Sequence, residues 1–336
     1  MLSSFQSHII MKHHTRTITV TRILFGCLLA ASLATSCRKE KMPAPSGLDE
    51  DYFVVQDDPN DPVQHARYEF YKSTGIASFY NDTIKKKQVG EVDGKPRYTY
   101  YTLSMVYGLY GGAYTGYKLV SDKTQIPAFL DLLKTDFLPR LPDAIHFPSI
   151  LMLDSIYNSG FPALNVQIAD GWTSMQGFNT TGFCVKNVTA MSNDEKRVYI
   201  ASLLAGIAEK RLNDLNAERL QDEFFSISRA VSNSIIPAWD IYFGIAFIFL
   251  YPAGNQPAAH TLGILKYPRV KLGEAPPMND LVSMPRAPDD LRAYLTAALC
   301  YTEEEFTSLY TGNELILKKF SVIRNMVREA GFKLPG

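Results

Sequence analysis

The stretch at 192–212, SNDEKRVYIASLLAGIAEKRL, leaves the chain little freedom. Ser192 and Glu195 stand three apart, the spacing of a capping box in which each satisfies a backbone N–H of the other's turn. Val198, Ala201, Ala205 and Ala208 follow at intervals of three and four, and Leu204 and Ile207 widen the stripe. That period predicts a helix with a broad apolar face, so the fold has to be built around a central, buried helix. The middle of this helix has no His, Asp, Cys or Ser-centred motif.

The segments before it alternate between helix and extended chain. Asp61 and Pro62 form an N-cap and first-turn pair, Val63, Ala66, Phe70 and Tyr71 make a stripe, and Gly75 suits the stop. Residues 76–84 read as extended, and Asp93-Gly94 marks a hairpin turn between extended runs. Ile126, Phe129, Leu130, Leu133 and Phe137 define a helix stopped by Pro139. SILMLDSI (149–156) and FCVKNV (183–188) read as strands, and 215–227 as an amphipathic helix. IYFGIAFIFLY (241–251) is the most apolar internal run, with the length of a buried helix or strand and too short to cross a bilayer.

Residues 251–288 are rich in Pro and Gly and read as a long functional loop or an insertion. Beyond them the pattern is helical. Leu291, Tyr294, Leu295 and Ala298 share a face, Thr302 and Glu305 make a second capping box, and Ile316, Phe320, Ile323 and Val327 lead to a stop at Gly331. Strands in the first half and helices in the second give an α+β domain, a mixed sheet followed by a mainly helical half.

The N-terminus carries an address. Lys12, Arg16 and Arg22 precede an apolar run from Ile23 to Ala34, and small residues lead up to Cys37. Residues 1–36 read as a secretory signal peptide, with Met11 a plausible start. The placement of Cys37 resembles a bacterial lipobox, which implies cleavage before that Cys and its lipidation. The other reading is an ordinary signal peptide with Cys37 incidental. Residues 37–54 suit a flexible tether and 55–336 a single folded domain. On the lipoprotein reading the protein is attached to the outer membrane by acyl chains, on its periplasmic or cell-surface side.

Composition narrows the function. Three of the 34 basic residues and none of the 34 acidic ones lie in the leader, so the remainder is slightly acidic and nucleic acid is not an expected partner. With Cys27 and Cys37 assigned to the leader and its lipidation point, only Cys184 and Cys300 remain beyond them, enough for one disulfide or for two separate buried thiols. The His residues there are His65, His146 and His260, none with a second His or Cys at ligand spacing. No G-x-S-x-G elbow and no Walker loop is present. Asp289 and Asp290, and Glu303 to Glu305, sit at helix starts, where the helix dipole accounts for a carboxylate. Residues 98–117 hold seven tyrosines; Tyr107, Tyr110 and Tyr114 form a candidate ligand surface, with plain sheet packing as the alternative. DTI (82–84) and DSI (154–156) resemble a three-residue O-glycosylation sequon and read as strand residues.

The order of segments carries a resemblance. RYEFYKSTGIASFYNDTI, IPAFLDLLKTDFLPRLP, FPSILMLDSI, EKRVYIASLLAGIA, DDLRAYLTAALCYTEEEFTSLY and NELILKKFSVIRNMVREAGFKL follow one another in a layout that resembles the zinc-binding metallopeptidase lipoproteins of Bacteroidetes. The resemblance implies a zincin-like fold and a link to outer-membrane glycan- or peptide-uptake systems. It places the family's HExxH motif on Leu204, Ala205, Gly206, Ile207 and Ala208, and a further metal-site Glu near Ala293. None of these side chains can hold a metal. The chain is therefore expected to be a degenerate member, without metal or other cofactor, that binds peptide, glycan or a neighbouring outer-membrane protein. The rival expectation is a hydrolase that uses His146 or His260 with scattered acids.

Overall fold

The computed structural model describes residues 51–105, 114–159, 167–168, 172–236, 239–252, 255–271 and 280–336. The chain divides into two units, Met1–Asp51 and Tyr52–Gly336. Cys37, Tyr107 and Tyr110 lie outside the described residues. Tyr52 packs at a tilt against Tyr101 and Phe53 edge-on against Phe79, so the folded unit begins at Tyr52 and takes in the last residues of the expected tether.

Helix α1 (Pro62–Thr74) forms as its ends dictate. The Asp61 side chain accepts hydrogen bonds from the N–H groups of Val63 and Gln64, and Gly75 closes the helix at a φ of 74°, where a side chain would be strained. β1 (Ala77–Phe79) follows, then β2 (Thr83–Val92) and β3 (Lys95–Thr102), a hairpin turning on Asp93 and Gly94 at φ of 51° and 72°. These two strands make a two-stranded sheet of their own.

The main sheet is organised by β5 (Ser149–Ser159). Its first half pairs in parallel with β1 and with β8 (Thr181–Cys184); its second half pairs antiparallel with β4 (Tyr114–Leu119) and, at Ser159, with β6 (Gln167–Ile168). β7 (Ser174–Gln176) adds to β8 at one edge. At the other, β9 (Arg269–Lys271) joins β6, and β10 (Leu281–Val282) joins β9. The run SILML is apolar at successive positions because both faces of this strand are covered. Ile150 and Met152 point into the large core beneath the helices, and Leu151 and Leu153 into a smaller cluster with Leu103, Met105 and Cys184.

Helix α2 (Ile126–Leu132) and the wider turn after it bury Phe129, Leu133 and Phe137 in the large core. α3 (Asn193–Arg219) is the central helix, capped by Ser192 and Glu195 as their spacing predicts and interrupted only at Asn216. A wide turn, Leu220–Phe225, leads into α4 (Ser226–Ile235). α5 (Ala287–Cys300) lies along α3, and α6 (Glu303–Leu309) and α7 (Glu314–Glu329) complete the core. No described helix is long and apolar enough to cross a membrane.

Three expectations are corrected. The apolar run 241–251 is neither a buried helix nor a strand: it holds a short turn of helix at Phe247–Phe249, and Phe243, Ile248 and Phe249 are exposed. The 251–288 segment is not one long loop, because it supplies β9 and β10 to the sheet. The order is therefore not strictly strands first and helices second. The β8 strand ends at Cys184, well short of residue 188.

Candidate functional site

Two helices and an edge strand meet at one residue. A Cβ on Gly206 of α3 would sit 2.2 Å from Ser174 Oγ and 2.6 Å from the Ser174 carbonyl oxygen, so β7 crosses the helix with no room for a side chain. Ser174 Oγ donates a 2.6 Å hydrogen bond to the Leu203 carbonyl. From α5, Arg292 Nη1 donates a 2.8 Å bond to the Ser174 carbonyl. A glycine within a helix costs about 1 kcal/mol relative to alanine. Gly206 was the signal in the sequence that another backbone comes close at this point.

Beside this crossing lies a cleft of about 590 Å³ between α3, α5 and the 266–268 segment. Val198, Ser202 and Ala205 line it from α3, Ala293 and Thr296 from α5, and Trp172 and Tyr267 supply aromatic walls. Ala205 and Ala293, both placed on the family's metal site by the resemblance, thus face one cleft. Leu204 and Ala208 do not: both are fully buried in the large core. The residue one turn beyond Ala205 is Glu209.

Glu209 is held by Arg292, whose Nε donates to its carboxylate, and both side chains are nearly buried. Burial pushes the Glu209 carboxyl up and the Arg292 guanidinium down, each opposed by the charge of the other. The Arg292 guanidinium also lies 3.7 Å from the centre of the Trp172 ring. A second pair borders the cleft: Arg286 Nε and Nη2 donate to the two oxygens of Asp289 at 2.9 and 3.1 Å. Asp289 also accepts from Trp172 Nε1 at 3.4 Å.

A catalytic zinc needs three protein ligands. Ala205, Gly206, Glu209 and Ala293 supply one donor group, and a guanidinium already engages it. These residues do not fit zinc. Among the described residues no three His, Cys, Asp or Glu side chains converge to hold a metal.

The other candidates are scattered. His65 Nδ1 bonds Asp57 at 2.8 Å in the open, and that carboxylate raises its pKa. His146 lines a different, smaller pocket with Asp143 and Gly75, and His260 lies in the Ala259–Leu262 turn. Cys184 and Cys300 are both buried and free, so the second of the two cysteine alternatives is the one found. Asp82 accepts from the Tyr117 hydroxyl at 3.3 Å, and Asp154 accepts from the N–H and Oγ of Ser121, so both sequon-like acids serve the strands. Tyr114 lies on β4, and of the neighbouring tyrosines Tyr98 and Tyr100 are exposed on β3.

Compared with known proteins, the chain matches no family model, no curated protein and no solved structure.

Proposed function

We propose that the protein is a non-catalytic, zincin-like lipoprotein, anchored to the outer membrane through Cys37, that binds a ligand in the cleft between α3 and α5. One observation carries this reading. The cleft lies against a capped central helix and an edge strand, but Ala205 and Ala293 line it where the resemblance puts metal-site residues, and the carboxylate one turn beyond Ala205, Glu209, is tied to Arg292. The shape of a site is present without the side chains that would do chemistry in it.

The bordering charges are paired within the protein, Arg292 with Glu209 and Arg286 with Asp289. Apart from Lys266, the remaining lining is aromatic, aliphatic and hydroxyl. A lining that is mostly aromatic, aliphatic and hydroxyl suits either a peptide segment with apolar side chains or a sugar chain, with the protein as a component of an uptake complex.

The chain has two tryptophans, Trp172 and Trp239. In a Trp239→Phe variant, intrinsic fluorescence reports on the cleft alone. Titration with neutral oligosaccharides and with uncharged peptides is expected to shift that emission for one of the two. Tightly bound stoichiometric zinc in the purified protein, with peptide hydrolysis lost on chelation, would overturn the reading.

A further inference from the structure

Lys319 and Asp290 are both fully buried and in direct contact. Lys319 comes from the middle of α7 and Asp290 from the first turns of α5. Around the amine stand the rings of Phe224, Tyr294 and Tyr242, with centres at 4.3, 4.8 and 5.8 Å. The polar atoms form a chain with a direction. Lys319 Nζ donates to Ser228 Oγ at 2.8 Å and to the Tyr242 hydroxyl at 3.2 Å. That hydroxyl in turn donates to Asp290 Oδ2 at 2.8 Å. The other oxygen, Oδ1, is buried and has no hydrogen-bond partner among the described residues.

An ion pair is a poor tenant of this site. A carboxylate with one bare oxygen in an apolar cage carries a heavy desolvation cost. Burial drives the Lys319 amine down and the Asp290 carboxyl up, toward the neutral amine and the neutral acid. A neutral amine is a nucleophile, and an amine held against a carboxyl group reacts at an effective concentration far above any in solution.

We propose that Lys319 and Asp290 are joined by an isopeptide bond, formed within the folded protein and requiring no other reactant. The Nζ lone pair attacks Cγ of the protonated carboxyl group. One Nζ proton passes to the Tyr242 oxygen, and the Tyr242 proton passes to Oδ2. The Cγ–Oδ2 bond breaks and Oδ2 leaves as water, carrying its own proton and the one relayed. Oδ1, the oxygen without a donor, stays as the amide carbonyl. Both charges disappear, and α5 is fastened to α7.

The test is a peptide map of the full-length protein, unfolded and digested. The expected product is a branched species that unites the Asp290 and Lys319 peptides and is lighter than their sum by one water. Recovery of the two peptides as separate linear species in full yield overturns the proposal, and needs no variant to fold. Tyr242→Phe keeps the ring and removes the relay, so closure should slow by about a hundredfold or more. Undiminished branched product in that variant overturns the role given to Tyr242.

Discussion

At the scale of single residues, the cleft depends on the Arg292–Glu209 pair. Replacing Arg292 by Gln leaves a nearly buried carboxyl group without its cation, and removal of one partner of such a pair costs about 3–5 kcal/mol. The loss should depend on pH. The Glu209 carboxyl is already pushed upward by burial, and without Arg292 it rises further. A carboxyl whose folded pKa exceeds its unfolded one binds more protons when folded, so stability falls as pH rises through that interval. The variant should therefore approach the wild type in acid and fall away from it toward neutrality. Urea melts of both proteins at a series of pH values check this, and a parallel pair of curves would count against it.

The free cysteines make a second test at this scale. Burial pushes the Cys184 thiol up to about 11, and Cys300 is also raised by burial. Thiolate is the reactive form. Neither should take up iodoacetamide in the native protein, and both should do so in denaturant, as mass analysis of their peptides would show. The sequence left Cys184 and Cys300 open between one disulfide and two separate buried thiols. Nothing in it showed that Asp290, placed where a helix dipole explains an acid, would be buried against Lys319. That contact joins residues on two helices, and neither spacing nor local chemistry encodes it.

At the scale of elements, helices were the most legible part of the chain. α1, α3 and α6 start where Asp61, Ser192 and Thr302 place their caps, because a cap is a local hydrogen bond written within four residues. Ser192→Ala should cost about 1 kcal/mol, read from a shifted denaturation midpoint with unchanged slope. Short strands were harder. β9 and β10 are three and two residues long and exist only because β6 offers an edge to pair with. The face of α3 toward the cleft was also hidden, since a helix apolar on most sides does not say which side meets what. Gly206→Ala tests the crossing with β7. The added methyl must displace Ser174 backbone, and overpacking of this kind costs about 1–3 kcal/mol. Calorimetry should show a lower melting temperature, although alanine is the better helix former.

At the scale of the whole molecule, the mixed sheet and helical layer follow from alternating segments of two periods, and this much was legible. The proposed address and attachment rest on residues outside those described and are tested in cells. Cys37→Ala should move the protein from the membrane pellet to the soluble fraction; if it still pellets, the anchor is elsewhere. The sheet itself has a consequence for how the chain is made. β5 takes partners from residues on both sides of it, and the row is finished only when β9 and β10 arrive more than a hundred residues after β6. Until then β6 shows an open edge, the kind of surface on which unfinished chains pair with one another. Productive folding thus waits for nearly the whole polypeptide, and a product truncated before residue 269 should accumulate as aggregate. On the proposed lipoprotein reading the chain is delivered through a membrane from its N-terminus, and that delay calls for a companion that holds the early strands apart.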